Sequence, residues 1–136
     1  MARRGWCAMF YQPHLIMKKP LGVVITDTHL SEDSIQVNFS VFHQAFKLCH
    51  ALGLDTIYHL GDIFTSRKGQ LEIVLLAFKA ILDQAEAQGI RIVAIAGNHD
   101  RVSYVSESSI LDVFNSHKMF HVISPYGSFP NEDGTC

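Results

Sequence analysis

From Leu21 onward, short apolar runs alternate with segments of helical periodicity, and this alternation restricts the chain to an α/β fold. Leu21-Gly-Val-Val-Ile25 is a continuous apolar run, the pattern of a strand buried on both faces. Ser34 to Leu52 reads as a helix, with Ile35, Phe39, Phe42, Phe46 and Cys49 at helical spacing and Gly53 as its C-terminal cap. Thr56 to Leu60 is a second strand. Leu71 to Ala87 is a second helix whose inward face carries Leu71, Val74, Leu75, Phe78, Ile81 and Leu82, closed by Gly89. Ile90 to Ala96 is a third strand, Glu107 to Ser116 a short helix, and Phe120 to Ser124 a fourth strand stopped by Pro125. Units of this kind build a largely parallel sheet with right-handed crossovers and helices covering it.

A chain of 136 residues holds one domain with a core of its own. Residues 17–125 carry the domain. Residues 1–16 match no element and read as an unassigned leader, loosely packed or disordered, with Met17-Lys-Lys-Pro20 as the natural start. Two arginines followed by an apolar stretch imitate a signal peptide, but Gln12, Pro13 and His14 break the stretch. Residues 126–136 form an irregular tail that reads as cut. No apolar run approaches the ~20 residues needed to cross a bilayer. Three scattered cysteines form no disulfide framework and fit a reducing cytosol. The net charge of −2 gives no general pull toward nucleic acid, so such a substrate would be held locally or through metal.

Ligands of open α/β sheets bind beyond the carboxyl ends of the strands. Thr26-Asp27-Thr28-His29-Leu30 follows the first strand, Gly61-Asp62-Ile63-Phe64 the second, and Gly97-Asn98-His99-Asp100 the third. Carboxylate, imidazole and amide groups are thus delivered to one edge. Alternation along an extended segment would put Asp27 and His29 on the same side, where both can bind one ion. Carboxylate oxygens with imidazole nitrogens suit Mn²⁺, Fe, Zn²⁺ or Co²⁺ better than Ca²⁺. A single carboxylate can also bridge two ions ~3.5–4 Å apart, the spacing used for in-line displacement at phosphorus. Gly61 and Gly97 let the backbone turn tightly beside them.

Asp27-x-His29, Gly61-Asp62 and Gly97-Asn98-His99-Asp100 resemble, in order, the first three motifs of the calcineurin-like metallophosphoesterases. The resemblance implies the N-terminal half of that family's βαβαβαβ sandwich, with the metal site at the carboxyl ends of the strands. It implies two divalent ions, Mn²⁺ first among them. Asp27 and His29 would hold the first ion, Asp62 would bridge both, and Asn98 would hold the second. His99 would stand beside the substrate as the catalytic group, donating to the phosphate or protonating the leaving oxygen. The runs around Asp27 and Asp62 most resemble the DNA-repair and phage recombination nucleases (SbcD-type). That branch implies DNA as substrate, exonuclease or endonuclease activity, and an ATPase partner of the structural-maintenance type. The family completes its site with a further histidine and a Gly-His-x-His motif, which this sequence lacks. His117 and His121 follow His99 too closely to replace them, so the sequence reads as an incomplete copy of weak or no activity, with uncovered apolar surface that favours self-association into a homodimer.

Singly, Asp27, Asp62 and Asn98 would pass for turn and loop residues, but at three strand ends together they read as a site. His43 and His50 lie off the apolar stripe and read as solvated. His59 falls within the second strand and reads as structural, with support for Asp62 as its further role. Arg101, which follows the third motif, and Arg67 are candidate phosphate contacts. The alternatives are a phosphatase or phosphodiesterase acting on a small nucleotide or phosphoprotein, and a non-catalytic scaffold of the same fold.

Overall fold

Each apolar run of the sequence becomes a strand, and the three polar motifs fall immediately after the first three. A computed structural model describes residues 19–101 and 108–123. The strands are β1 (Val23–Ile25), β2 (Thr56–His59), β3 (Arg91–Ile95) and β4 (Phe120–Ile123). The helices are α1 (Ile35–Leu52) and α2 (Glu72–Ala87), with 3₁₀ turns at Glu32–Ser34 and Ile110–Phe114. The sheet runs in the order β1-β2-β3-β4 and every pairing is parallel. The α/β architecture read from the sequence is the one observed.

Register explains which side chains form the core. Val23, Ile57, Ile92 and Phe120 lie in one row across the sheet, and all four are buried on the helix side. Ile25, His59, Ala94 and Val122 form the next row on the same face. Against these rows pack Phe42, Phe46 and Cys49 of α1 and Val74, Phe78, Ile81 and Leu82 of α2. Phe78 holds the centre, its ring making edge contacts with Phe42, Phe64, Phe114 and Phe120. The phenylalanine-rich helix faces are therefore core. Helix α1 stops at Gly53, whose left-handed φ of 64° lets its N–H reach the last carbonyls.

Three local expectations are corrected. β1 is not buried on both faces, because Val24 is 60% exposed. With strands in sequential order, every right-handed crossover steps the same way, so both helices stack on one face and touch each other. The opposite face presents Val24 and Ile95 to solvent. Leu71 does not join the buried face of α2: it is the residue before the helix, in extended conformation, and 58% exposed. Finally, the segment around Leu111 is a 3₁₀ turn of five residues, not a helix over 107–116, because Ser109 and Asp112 close a capping box around it. Residues 1–16, Met17 and the tail at 126–136 lie outside the described residues, as do Glu107 and Ser124.

Candidate metal centre

The polar loops after β1 and β2 continue the pairing of their strands in a distorted form. Asp27 N donates to Gly61 O (3.1 Å), His29 N to Asp62 O (3.1 Å), and Leu30 N to Ile63 O (2.6 Å). To make these bonds the chain turns left-handed at Asp27 (φ 52°), His29 (φ 45°) and Asp62 (φ 52°). Among the described residues, no other non-glycine residue has a positive φ. A left-handed L-residue costs about 1–3 kcal/mol and persists only where its surroundings impose it. These same three residues bring one ligand atom each to within 4.8 Å of one another. Asp27 and His29 do share a side, with Oδ1 and Nε2 3.6 Å apart, though by left-handed turns rather than by the alternation of an extended strand.

The third loop closes over the other two. Asp62 Oδ1 accepts from His99 N (2.9 Å), so the carboxylate is aimed by the third motif. Gly97 lies so close to Asp62 that a Cβ there would stand 2.2 Å from the Asp62 nitrogen. The His99 ring meets the His29 ring edge-on, with centroids 5.2 Å apart. His99 Nδ1 lies 2.8 Å from Thr65 O, and a carbonyl can only accept, so Nδ1 carries a proton. Asn98 is exposed at the turn between Gly97 and His99. Arg101 forms an isolated bridge with Ser109. Arg67 is half-buried in the loop after Phe64. His117 is bound to α2, 3.3 Å from Asp83 and 3.5 Å from Glu86, and His121 lies on β4.

Three supporting residues carry more than the sequence reading assigned to them. Asp100 is buried, and its carboxylate accepts from Ile63 N (3.2 Å), Phe64 N (2.9 Å) and Gly97 N (2.9 Å), stitching the second loop to the third. Its place in the third motif was visible, but its role was not. Asn38 is buried in α1 and donates to Thr28 O (3.0 Å), anchoring the peptide between Asp27 and His29. A polar residue on an otherwise apolar helix face was the available signal. His59 is buried on the helix face, stacked on Phe42, and bonded to both Thr28 and Gly61.

Burial lowers the His59 pKa from 6.5 to about 4, against the opposing pull of the Asp27 and Asp62 charges. The folded ring therefore binds its proton less tightly than the unfolded one. Between pH 6.5 and about 4 the unfolded chain takes up more protons, and stability falls as pH falls. The metal-free chain should lose up to about 3 kcal/mol across that window. Urea midpoints measured at several pH values, beside those of His59→Phe, isolate this contribution; equal slopes for the two chains would contradict it.

The donor set, two carboxylates and an imidazole converging from two strand ends, fits a divalent transition ion. The family model for calcineurin-like phosphoesterases matches residues 23–134. The chain belongs to this family. Its members are phosphoester hydrolases that bind divalent metals. Among solved structures, the Pseudomonas putida nuclease MPE is similar at 15% identity and a TM-score of 0.51, covering 79% of this chain and 50% of that one. A xylose isomerase-like TIM barrel/4-hydroxyphenylpyruvate dioxygenase fusion protein is similar at 17% identity and a TM-score of 0.53, covering 74% of this chain and 17% of that one. At such identities the likeness speaks for the fold, and this chain spans half the length of the first structure and less of the second. No curated protein matches the chain. Among the described residues no helix is long and apolar enough to cross a membrane.

Proposed function

We propose that this chain is the N-terminal part of a metal-dependent phosphodiesterase acting on DNA, a nuclease subunit in the manner of the DNA-repair and phage recombination branch. The observation that carries the reading is the convergence of Asp27, His29 and Asp62, the three residues held left-handed, with the His99 ring against them. Asp27, His29 and Asp62 would hold one divalent ion, Mn²⁺ being the ion expected, and Asp62 with Asn98 would offer a second Mn²⁺ only two ligands. Bound there, such ions polarise a phosphoryl oxygen and supply an activated water at neutral pH. The chain's own groups do the rest. Thr65 O fixes the His99 ring through Nδ1–H, which leaves Nε2 toward the substrate. With the ring in its doubly protonated form, Nε2–H would donate to the phosphate or pass its proton to the leaving oxygen, and the neutral ring would remain. Beside Thr65 lies a groove of about 470 Å³ with a mixed lining, Ser31, Ser66, Lys68 and Gln70 with the acidic Glu32 and the apolar Leu71 and Val74, where the rest of a substrate would have room. Arg101 and Arg67 are the further phosphate contacts in this reading. Cytoplasmic location, an ATPase partner and self-association belong to the same reading.

The family's downstream histidines are not in this sequence, so the second position, with only Asp62 and Asn98, stays mostly empty and turnover is slight. Asp62→Ala and His99→Ala separate the roles. Asp62→Ala should remove metal binding and hydrolysis together. His99→Ala should leave metal binding intact and, in a chain completed by the downstream histidines, reduce Mn²⁺-dependent cleavage of linear DNA by ~10²–10⁴. Metal lost in the His99 variant and kept in the Asp62 variant would reverse the assignment. Cleavage of a phosphomonoester but not of DNA by the unmodified chain would favour the phosphatase reading.

A further inference from the structure

His59 is drawn from the core face of β2, yet both of its ring nitrogens point their bonds at the metal loops. Nδ1 lies 3.2 Å from the Gly61 backbone nitrogen and Nε2 lies 3.0 Å from Thr28 Oγ1. A backbone N–H can only donate, so Nδ1 is the acceptor and carries no proton. The neutral ring then carries its proton on Nε2 and donates it to the Thr28 hydroxyl. That hydroxyl is 3.4 Å from Ile63 O, to which it turns its own hydrogen. A directed relay results: Gly61 to His59 to Thr28 to Ile63, leaving the second loop, crossing the first and returning.

We propose that His59 is a positioning residue for the metal centre: this relay locks Thr28, the residue between Asp27 and His29, against the Gly61-Asp62 loop and holds the three ligands in their left-handed conformations. The proposal rests on the reading of those three residues as metal ligands. Three left-handed L-residues store strain, and the other bonds that hold it run through the backbone, through Asn38 to Thr28 O and through Asp100; none of these touches the Thr28 side chain. The flanking backbone bonds, Asp27 to Gly61 and His29 to Asp62, bracket Thr28 but leave its own side chain free to turn. His59 fixes that side chain. The ring cannot swing away, because it is 1% exposed and stacked on Phe42 with planes 21° apart. A buried imidazole must satisfy its polar nitrogens, and here both partners belong to the two metal loops, so the ring ties them together.

The test uses Mn²⁺ titration of the chain and three variants. His59→Phe keeps the ring and its stacking but has no polar atom, and should lower Mn²⁺ affinity about 10–100-fold. His59→Gln places an amide donor near the position of Nε2 and should recover most of that loss. Thr28→Val cuts the relay without touching the core ring and should resemble His59→Phe, so it carries the test if His59→Phe does not fold. Imidazole nitrogen NMR of the metal-free chain at pH 7 should show Nε2 protonated and Nδ1 bare. Unchanged affinity in both His59→Phe and Thr28→Val, or a proton on Nδ1, overturns the proposal. Absence of Mn²⁺ binding by the unmodified chain instead overturns the metal reading, and the NMR result still decides the relay.

Discussion

Gly97→Ala should lower Mn²⁺ affinity by about 100-fold, the largest effect expected of any single methyl group in this chain. Its Cβ would fall 2.2 Å from both the nitrogen and Oδ1 of Asp62 and 2.8 Å from its Cγ. No flexible side-chain end is available to yield. Either the second loop or the third must move, and Asp62 is then displaced from Asp27 and His29. Overpacking of this kind also costs about 1–3 kcal/mol of stability. Gly53→Ala is the control. That glycine has φ 64° with nothing within 4 Å, so the substitution meets only the left-handed penalty of about 1–2 kcal/mol and should leave metal binding unchanged. Equal affinity in Gly97→Ala and the unmodified chain, measured by calorimetry, would show that the two loops do not pack as described.

Asp100→Asn should cost about 3 kcal/mol and loosen the same loops from the other side. One carboxylate oxygen serves Phe64 N, and the other serves both Ile63 N and Gly97 N. An amide has the same shape but only one acceptor, so its NH₂ must face at least one of these buried donors. The orphaned N–H loses its partner, and the remaining bonds lose the strengthening of an ionised acceptor. Urea unfolding measures the loss, and Mn²⁺ titration of the folded fraction measures the slackening of the site. Full stability in Asp100→Asn would mean that water satisfies these amides.

Much of this was legible in the sequence, for reasons that differ from residue to residue. The strands could be read because they are short, apolar and followed at once by Asp27, Asp62 or Asn98. The buried faces of α1 and α2 followed from the spacing of Phe42, Phe46, Phe78 and Ile81, which period 3.6 determines locally. The left-handed turns at Asp27, His29 and Asp62 could not be read. They exist because Gly61 O and Asp62 O accept from the first loop, a contact across thirty-odd residues of chain. The exposure of Val24 was likewise a property of topology: identical apolar runs are buried or bare according to which face the crossovers cover. The role of Asp100 is hidden in its motif because its partners are backbone amides, which have no sequence signature. The place of His59 within a strand marks it as structural support, and its burial agrees; that both of its nitrogens address the loops depends on their path in space.

Calorimetric titration of Mn²⁺ into the chain, beside Asp62→Ala, tests the account at its centre. One weak site is expected, formed by Asp27, His29 and Asp62, and it should be lost in Asp62→Ala. No binding by the unmodified chain, or binding that survives Asp62→Ala unchanged, would contradict it.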